Sequence, residues 1–120
     1  MAISTSLRDG VLVIQVQDQR LLDESQIGKV DQEITAVIEK SEQDRVVFDF
    51  SAVQFMSSSM LGKLVAAHKR LKGFKAKLKL AGLSSDIREV FKITKLDKLF
   101  DIEPDAATAV KSFAKKGLFR

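Results

Sequence analysis

The chain has no cysteine, tryptophan or tyrosine, and only one histidine and one proline in 120 residues. Without cysteine there are no disulfides, no thiolate metal sites and no thiol nucleophile. The single histidine, His68, leaves little for a histidine metal site and would have to serve alone in any Ser-His-Asp arrangement. All eight aromatic residues are phenylalanine, which leaves few stacking platforms for single-stranded nucleic acid. The six glycines are scattered and fit neither G-x-x-x-x-G-K nor G-x-G-x-x-G, so no phosphate-cradling loop is present. No apolar run nears the ~18 residues of a membrane span, and the opening MAISTSLRDG lacks the basic and apolar regions of a leader. These absences imply a cytoplasmic protein with no membrane contact, no metal and no cofactor.

What remains is the balance of a soluble globular domain: 45% apolar and 30% charged residues. The length suits one domain spanning residues 1–120, large enough to bury roughly two-thirds of its unfolded surface. The net charge of +4 conceals an asymmetry. Residues 1–60 carry 5 basic and 10 acidic side chains, and residues 61–120 carry 15 and 6. Lys63, Lys69, Arg70, Lys72, Lys75, Lys77 and Lys79 follow one another with no acid between them. Such a stretch reads either as a solvated face or as a nucleic-acid footprint.

Asp9-Gly10 stands between two alternating runs, Ile3-Thr5-Leu7 and Leu12-Ile14-Val16, and predicts a β-hairpin with a type I′ turn. A polar loop, Gln17 to Arg20, precedes a helix capped by Asp23, with Ile27, Val30, Ile34, Val37 and Ile38 on one face and Glu42-Gln43-Asp44 at its end. Arg45–Phe50 is the most strand-like run. After a crossing loop, Leu61, Leu64, Val65, His68 and Leu71 predict a second helix closed by Gly73. Lys77-Leu78-Lys79-Leu80 alternates as a strand with one wet face would. Ser84 or Ser85 caps a third helix with Ile87, Val90 and Phe91, Asp86 and Glu89 lying in its first turn. Phe100-Asp101-Ile102 suggests a short edge strand. Pro104 is expected at the first position of a last helix carrying Ala107, Val110, Phe113 and Ala114. The order ββαβαβα(β)α describes an α/β fold: a mixed sheet of four to five strands, opened by the hairpin and flanked by about four helices, with right-handed crossovers.

Catalytic groups are scarce. Asp23-Glu24 and Asp49 read as cap and surface carboxylates, and His68 on an apolar stripe reads as a packed, hydrogen-bonded side chain. The unusual segment is Phe55-Met56-Ser57-Ser58-Ser59-Met60-Leu61-Gly62, three serines where a loop becomes a helix. One serine suffices as a cap. The others, expected as exposed hydroxyls beside Met56 and Met60, suit a contact surface that a phosphate could switch. A phosphoserine in the first turn would meet free N–H groups and the positive helix end, adding about −1.5 to −2 of charge without harming the fold.

The run from Val47 to Gly62, with Asp49-Phe50-Ser51, Phe55-Met56, Ser57-Ser58-Ser59 and Leu61-Gly62, resembles the signature of STAS domains, the anti-sigma factor antagonist family. The resemblance extends over essentially the whole chain, through Asp86–Phe91 and Leu99–Ile102. It implies a non-enzymatic adaptor. The unmodified protein would bind an anti-sigma factor that is itself a serine kinase, releasing a sigma factor. Phosphorylation would switch it off, and a serine phosphatase would restore it. Aligned on the motif, the phosphoacceptor falls on Ser58, with Ser57 and Ser59 as alternatives. Met60 replaces a residue that is usually small in the family, and Ser57 one that is often aspartate.

The expected partner surface comprises Asp23, Met56, Ser57, Ser59, Met60 and Lys63, with Leu22 beside it, on a monomer. The alternatives are a phosphorylation-independent STAS scaffold in a signalling or transport assembly, or a nucleic-acid-binding module using Lys63–Lys79.

Overall fold

The computed structural model describes residues 2–118. The chain begins with β1 (Ile3–Arg8) and β2 (Val11–Val16), paired antiparallel with Arg8 opposite Val11. Asp9 at φ 50° and Gly10 at φ 78° form the two-residue turn that the sequence predicts. β4 (Arg45–Asp49) joins β2 in parallel, β6 (Lys77–Ala81) joins β4 and β7 (Asp101–Glu103) joins β6 at the far edge, all parallel. The five-stranded order is β1-β2-β4-β6-β7. A second, two-stranded parallel ribbon joins β3 (Arg20–Leu21) to β5 (Phe55–Met56). The sequence reads both of these segments as loops, because two residues are too few to show a period.

Helices cover both faces of the sheet. α1 (Glu24–Lys40), α2 (Ser58–Gly73) and α3 (Ser85–Ile93) bury Ile27, Val30, Ile34, Leu64, Leu71, Ile87 and Phe91 against Ile14, Phe48 and Leu80. α4 (Ala106–Leu118) lays Ala106, Ala109, Val110 and Phe113 against Val11, Val13, Val47 and Ala81 on the other face. Ala107 is exposed, so the apolar stripe of α4 lies one residue from the expected one, and the Ala114 side chain lies outside the described residues.

Three local expectations change. β6 is wet only at Lys77, its first residue: Lys79 is only 3% exposed, ion-paired with Asp101 at 2.9 Å and Glu103 at 3.4 Å, and its ammonium lies 5.0 Å from the centre of the Phe113 ring. A lysine at an alternating position reads as outward-facing, but α4 covers that face and the lysine is neutralised by the edge strand. α2 does end at Gly73, but this glycine is not the residue that takes the left-handed turn. Lys75, at φ 61°, takes the left-handed position, with Ala76 N–H donating to Leu71 C=O (2.9 Å) and Lys75 N–H to Lys72 C=O (3.0 Å), a Schellman ending. The cap of α4 is Asp105, whose carboxylate accepts from Thr108 N–H at 2.7 Å, so Pro104 lies one residue outside the cap.

Candidate functional site

The switch segment is placed by the end of β4. There Asp49 Oδ1 accepts from Ser51 N–H (3.0 Å), turning the chain away from the sheet. Gly82, at φ +72°, lies against this turn, and a Cβ on it would come within 2.9 Å of Ser51 N and 3.0 Å of Asp49 Oδ1. Only glycine fits there. Phe50 and Val53 anchor the turn in the core, and β5 then pairs with β3. Alternation across β5 turns Met56 inward and leaves Phe55 exposed, with the Arg20 guanidinium 5.1 Å from its ring centre.

The β3–β5 ribbon brings two helix N-termini side by side. β3 leads into α1, capped by Asp23 through Gln26 N–H (3.3 Å), and β5 leads into α2. The three serines at that junction have different surroundings. Ser57 is the backbone N-cap of α2, but its side chain makes no capping bond; its hydroxyl is buried, with no partner among the described residues. Ser59 donates to Glu24 Oε2 at 3.2 Å, tying α2 to α1. Ser58 is exposed at the first position of the helix. The expectation that one serine serves as a side-chain cap is not met.

Met60 does not line a surface. It is 1% exposed and packs in the core, because the third helical position turns back toward the sheet. Met60 therefore does not stand beside Ser58 at the surface. Met56 is half-buried against the core, and Asp23 is exposed. Lys63 pairs with Asp31 of α1 at 3.8 Å. One turn on from Ser58, Gly62 is exposed with no atom within 4 Å of where its Cβ would be, and Ala66 follows a turn later. The outer face of α2 is thus nearly flat from Ser58 to Ala66, a feature legible in the i, i+4, i+8 spacing of small residues but not singled out from it.

His68 faces away from this strip, its ring packed edge-on against Phe100 at 5.2 Å. Burial, and then the nearby Lys72 charge, hold its pKa below the ordinary histidine value. It is packed as expected, but no hydrogen bond to it appears among the described residues. Within Lys63–Lys79 the cations are spread over two elements and the link between them. Lys63 and Arg70 pair with acids of α1, and Lys79 is buried, so the stretch is not one basic face. Among the described residues, no group of three or more histidine or carboxylate side chains could hold a metal ion, and no helix is long and apolar enough to cross a membrane.

The sequence profile of the STAS domain matches residues 2–109. The chain belongs to the STAS domain family. It is 26% identical over 113 residues to BtrV of Bordetella bronchiseptica, a candidate anti-sigma factor antagonist by name, covering 94% of this STAS chain and 95% of BtrV. The crystal structure of an anti-sigma factor antagonist from Mycobacterium paratuberculosis superposes with a TM-score of 0.81 at 28% identity, over 92% of this chain and 91% of that one. The fold is shared with the antagonist SpoIIAA of Bacillus in its phosphorylated form (TM-score 0.69, 18% identity, covering 93% and 99% of the two chains). The STAS assignment accounts for the mixed five-stranded sheet and the four helices.

Proposed function

We propose that this STAS domain is an anti-sigma factor antagonist, a regulatory binding protein rather than an enzyme, whose switch is Ser58. The observation that carries the reading is that the three adjacent serines differ: Ser58 is exposed and its hydroxyl has no hydrogen-bond partner among the described residues, whereas the Ser57 hydroxyl is buried and Ser59 donates to Glu24. The names of the relatives support the class of partner, an anti-sigma factor. A serine-kinase anti-sigma factor would transfer the terminal phosphoryl group of ATP to Ser58 Oγ, the hydroxyl proton leaving to a base of the kinase. The product is compatible with the fold, because the positive end of α2 favours an anion at this position.

Docking uses the flat strip of α2 running from Ser58 past Gly62, with Asp23, Met56, Ser57, Ser59 and Lys63 around it. A phosphate there opposes docking by charge and by the cost of desolvating it. Incubation with the cognate anti-sigma kinase and ATP, followed by mass mapping, is expected to place one phosphate on Ser58. Modification at Ser57 or Ser59, or none, overturns the switch. Ser58→Glu is expected to weaken anti-sigma binding at least tenfold, about 1.4 kcal/mol, while Ser58→Ala binds and cannot be switched. A serine phosphatase restoring binding would complete the cycle.

A further inference from the structure

Two large apolar side chains and one cation stand exposed on and beside the β3–β5 ribbon, next to the start of α2. Phe55 is 42% exposed, and Leu22, just past β3, is 45% exposed. Arg20 is exposed as well, with its guanidinium 5.1 Å from the centre of the Phe55 ring. The ribbon register explains why they share a face. Arg20 stands opposite Phe55 and Leu21 opposite Met56, and side chains alternate along a strand. Leu21 and Met56 turn toward the core, so Arg20 and Phe55 turn outward together and the exposed Leu22 follows them.

The backbone that carries these side chains is pinned. Gln19 C=O accepts from both Gln54 N–H (2.8 Å) and Phe55 N–H (3.2 Å), and Leu21 C=O accepts from Ser57 N–H (2.9 Å). The last of these bonds fixes the residue just before Ser58, so the outer face of the ribbon runs on into the start of α2. An aromatic ring on a fixed strand has few rotamers to lose when it docks. The Arg20 side chain makes no hydrogen bond or ion pair among the described residues, which leaves its N–H groups open to an acceptor. The acids nearest in sequence are engaged elsewhere: Asp18 accepts from Gln26 Nε2 (2.8 Å), Asp23 from Gln26 N–H and Glu24 from Ser59. Asp86 and Glu89 belong to α3, which lies beside β5, and they do not pair with it either.

We infer that Phe55, stacked on Arg20 and flanked by Leu22, is the anchor that selects which anti-sigma factor this chain binds. The inference rests on the proposed antagonist function and extends its interface from α2 onto the ribbon. The partner it fits has an apolar pocket for the Phe55 ring and Leu22, rimmed by carbonyl or carboxylate acceptors for the guanidinium. Aromatic side chains and arginine carry a disproportionate share of the binding energy at protein interfaces, where neighbouring near-neutral contacts exclude water from them. The flat strip of α2 provides such contacts on the Ser58 side of the ribbon. The two parts then divide the work. Ser58 decides whether the complex forms, because its phosphate adds charge at the start of α2. Phe55 decides with which partner, because a pocket of the wrong shape leaves the ring in water and the guanidinium without an acceptor.

The test uses the full chain and the purified anti-sigma kinase of the phosphate-mapping experiment. In titration calorimetry, Phe55→Ala and Arg20→Glu are each expected to weaken binding roughly tenfold or more. Phe74→Ala truncates a more exposed ring at the far end of α2 and should bind within about twofold of wild type. All three are surface changes and should melt as wild type does; Arg20→Glu keeps the test decisive if Phe55→Ala melts early. With ATP, Phe55→Ala should raise the KM for phosphorylation of Ser58 and leave kcat unchanged, a split that a general loss of structure would not give. If Phe55→Ala and Arg20→Glu both bind within about threefold of wild type, the inference falls while the Ser58 switch stands. If the wild type does not bind, or Ser58 stays unmodified, the antagonist reading falls and takes this inference with it. Self-association of the wild type that Phe55→Ala abolishes in sedimentation velocity would assign the ribbon to a second copy and overturn the inference as well.

Discussion

Ser57, Ser58 and Ser59 are chemically identical, and only their neighbours tell them apart: a buried hydroxyl for the first, solvent for the second, Glu24 for the third. The same holds for the glycines. Gly82 has a positive φ and no room for a Cβ. Gly82→Ala is therefore expected to cost about 2–4 kcal/mol in urea denaturation, combining left-handed strain with displacement of the Asp49–Ser51 turn. His68 yields a pH prediction. Its folded pKa is lowered, so the unfolded chain takes up the proton first. The stability it contributes is complete above the ordinary value near 6.5 and is lost as pH falls through the window below it. Denaturation at pH 7.5 and pH 5 should show a larger drop for wild type than for His68→Gln. Asp105, held low first by the Thr108 N–H bond, works in a separate window: its contribution is lost only as pH falls below the usual aspartate value.

At the scale of elements, α2 combines a buried face with an outer face of small residues. Gly62→Gln should stabilise the helix by about 0.5–1 kcal/mol, since glycine is a poor helix former and the added side chain meets no atom at its root. It should also weaken anti-sigma binding by obstructing the flat strip, a split that circular-dichroism melting and a binding titration would resolve. β6 makes the opposite point. Lys79→Met is expected to lie within about 1 kcal/mol of wild type, because Asp101 and Glu103 keep some access to water and the aliphatic volume is retained. Lys79→Ala, which leaves a void beside Phe113, should cost about 2–4 kcal/mol. The hairpin, α1 and α3 were legible because Asp9-Gly10, Asp23 and Ser84 act through neighbours in sequence. β3, β5 and the burial of Lys79 were not, since each depends on a partner far along the chain.

For the whole molecule, α4 is what makes the sheet a middle layer. Ending the chain before Pro104 would bare Val11, Val13, Val47 and Ala81. Such a truncation is expected to lose its cooperative melt and to bind a hydrophobic dye, measured against full-length protein. Charge also becomes intelligible at this scale. The acidic first half and the basic second half are not separate surfaces: Asp31 meets Lys63 and Glu39 meets Arg70 where α1 lies beside α2. The sequence alone determined the order of the main-sheet strands and the four helices, the absence of thiol and phosphate-loop chemistry, and the serine motif at the start of α2. These follow from composition and from interactions a few residues apart. Only the tertiary structure decided which serine is exposed, that Met60 faces the core, that Lys79 is buried and that β1 is an edge strand. Exposure and pairing are set by residues that are distant in the chain and meet only when the layers close.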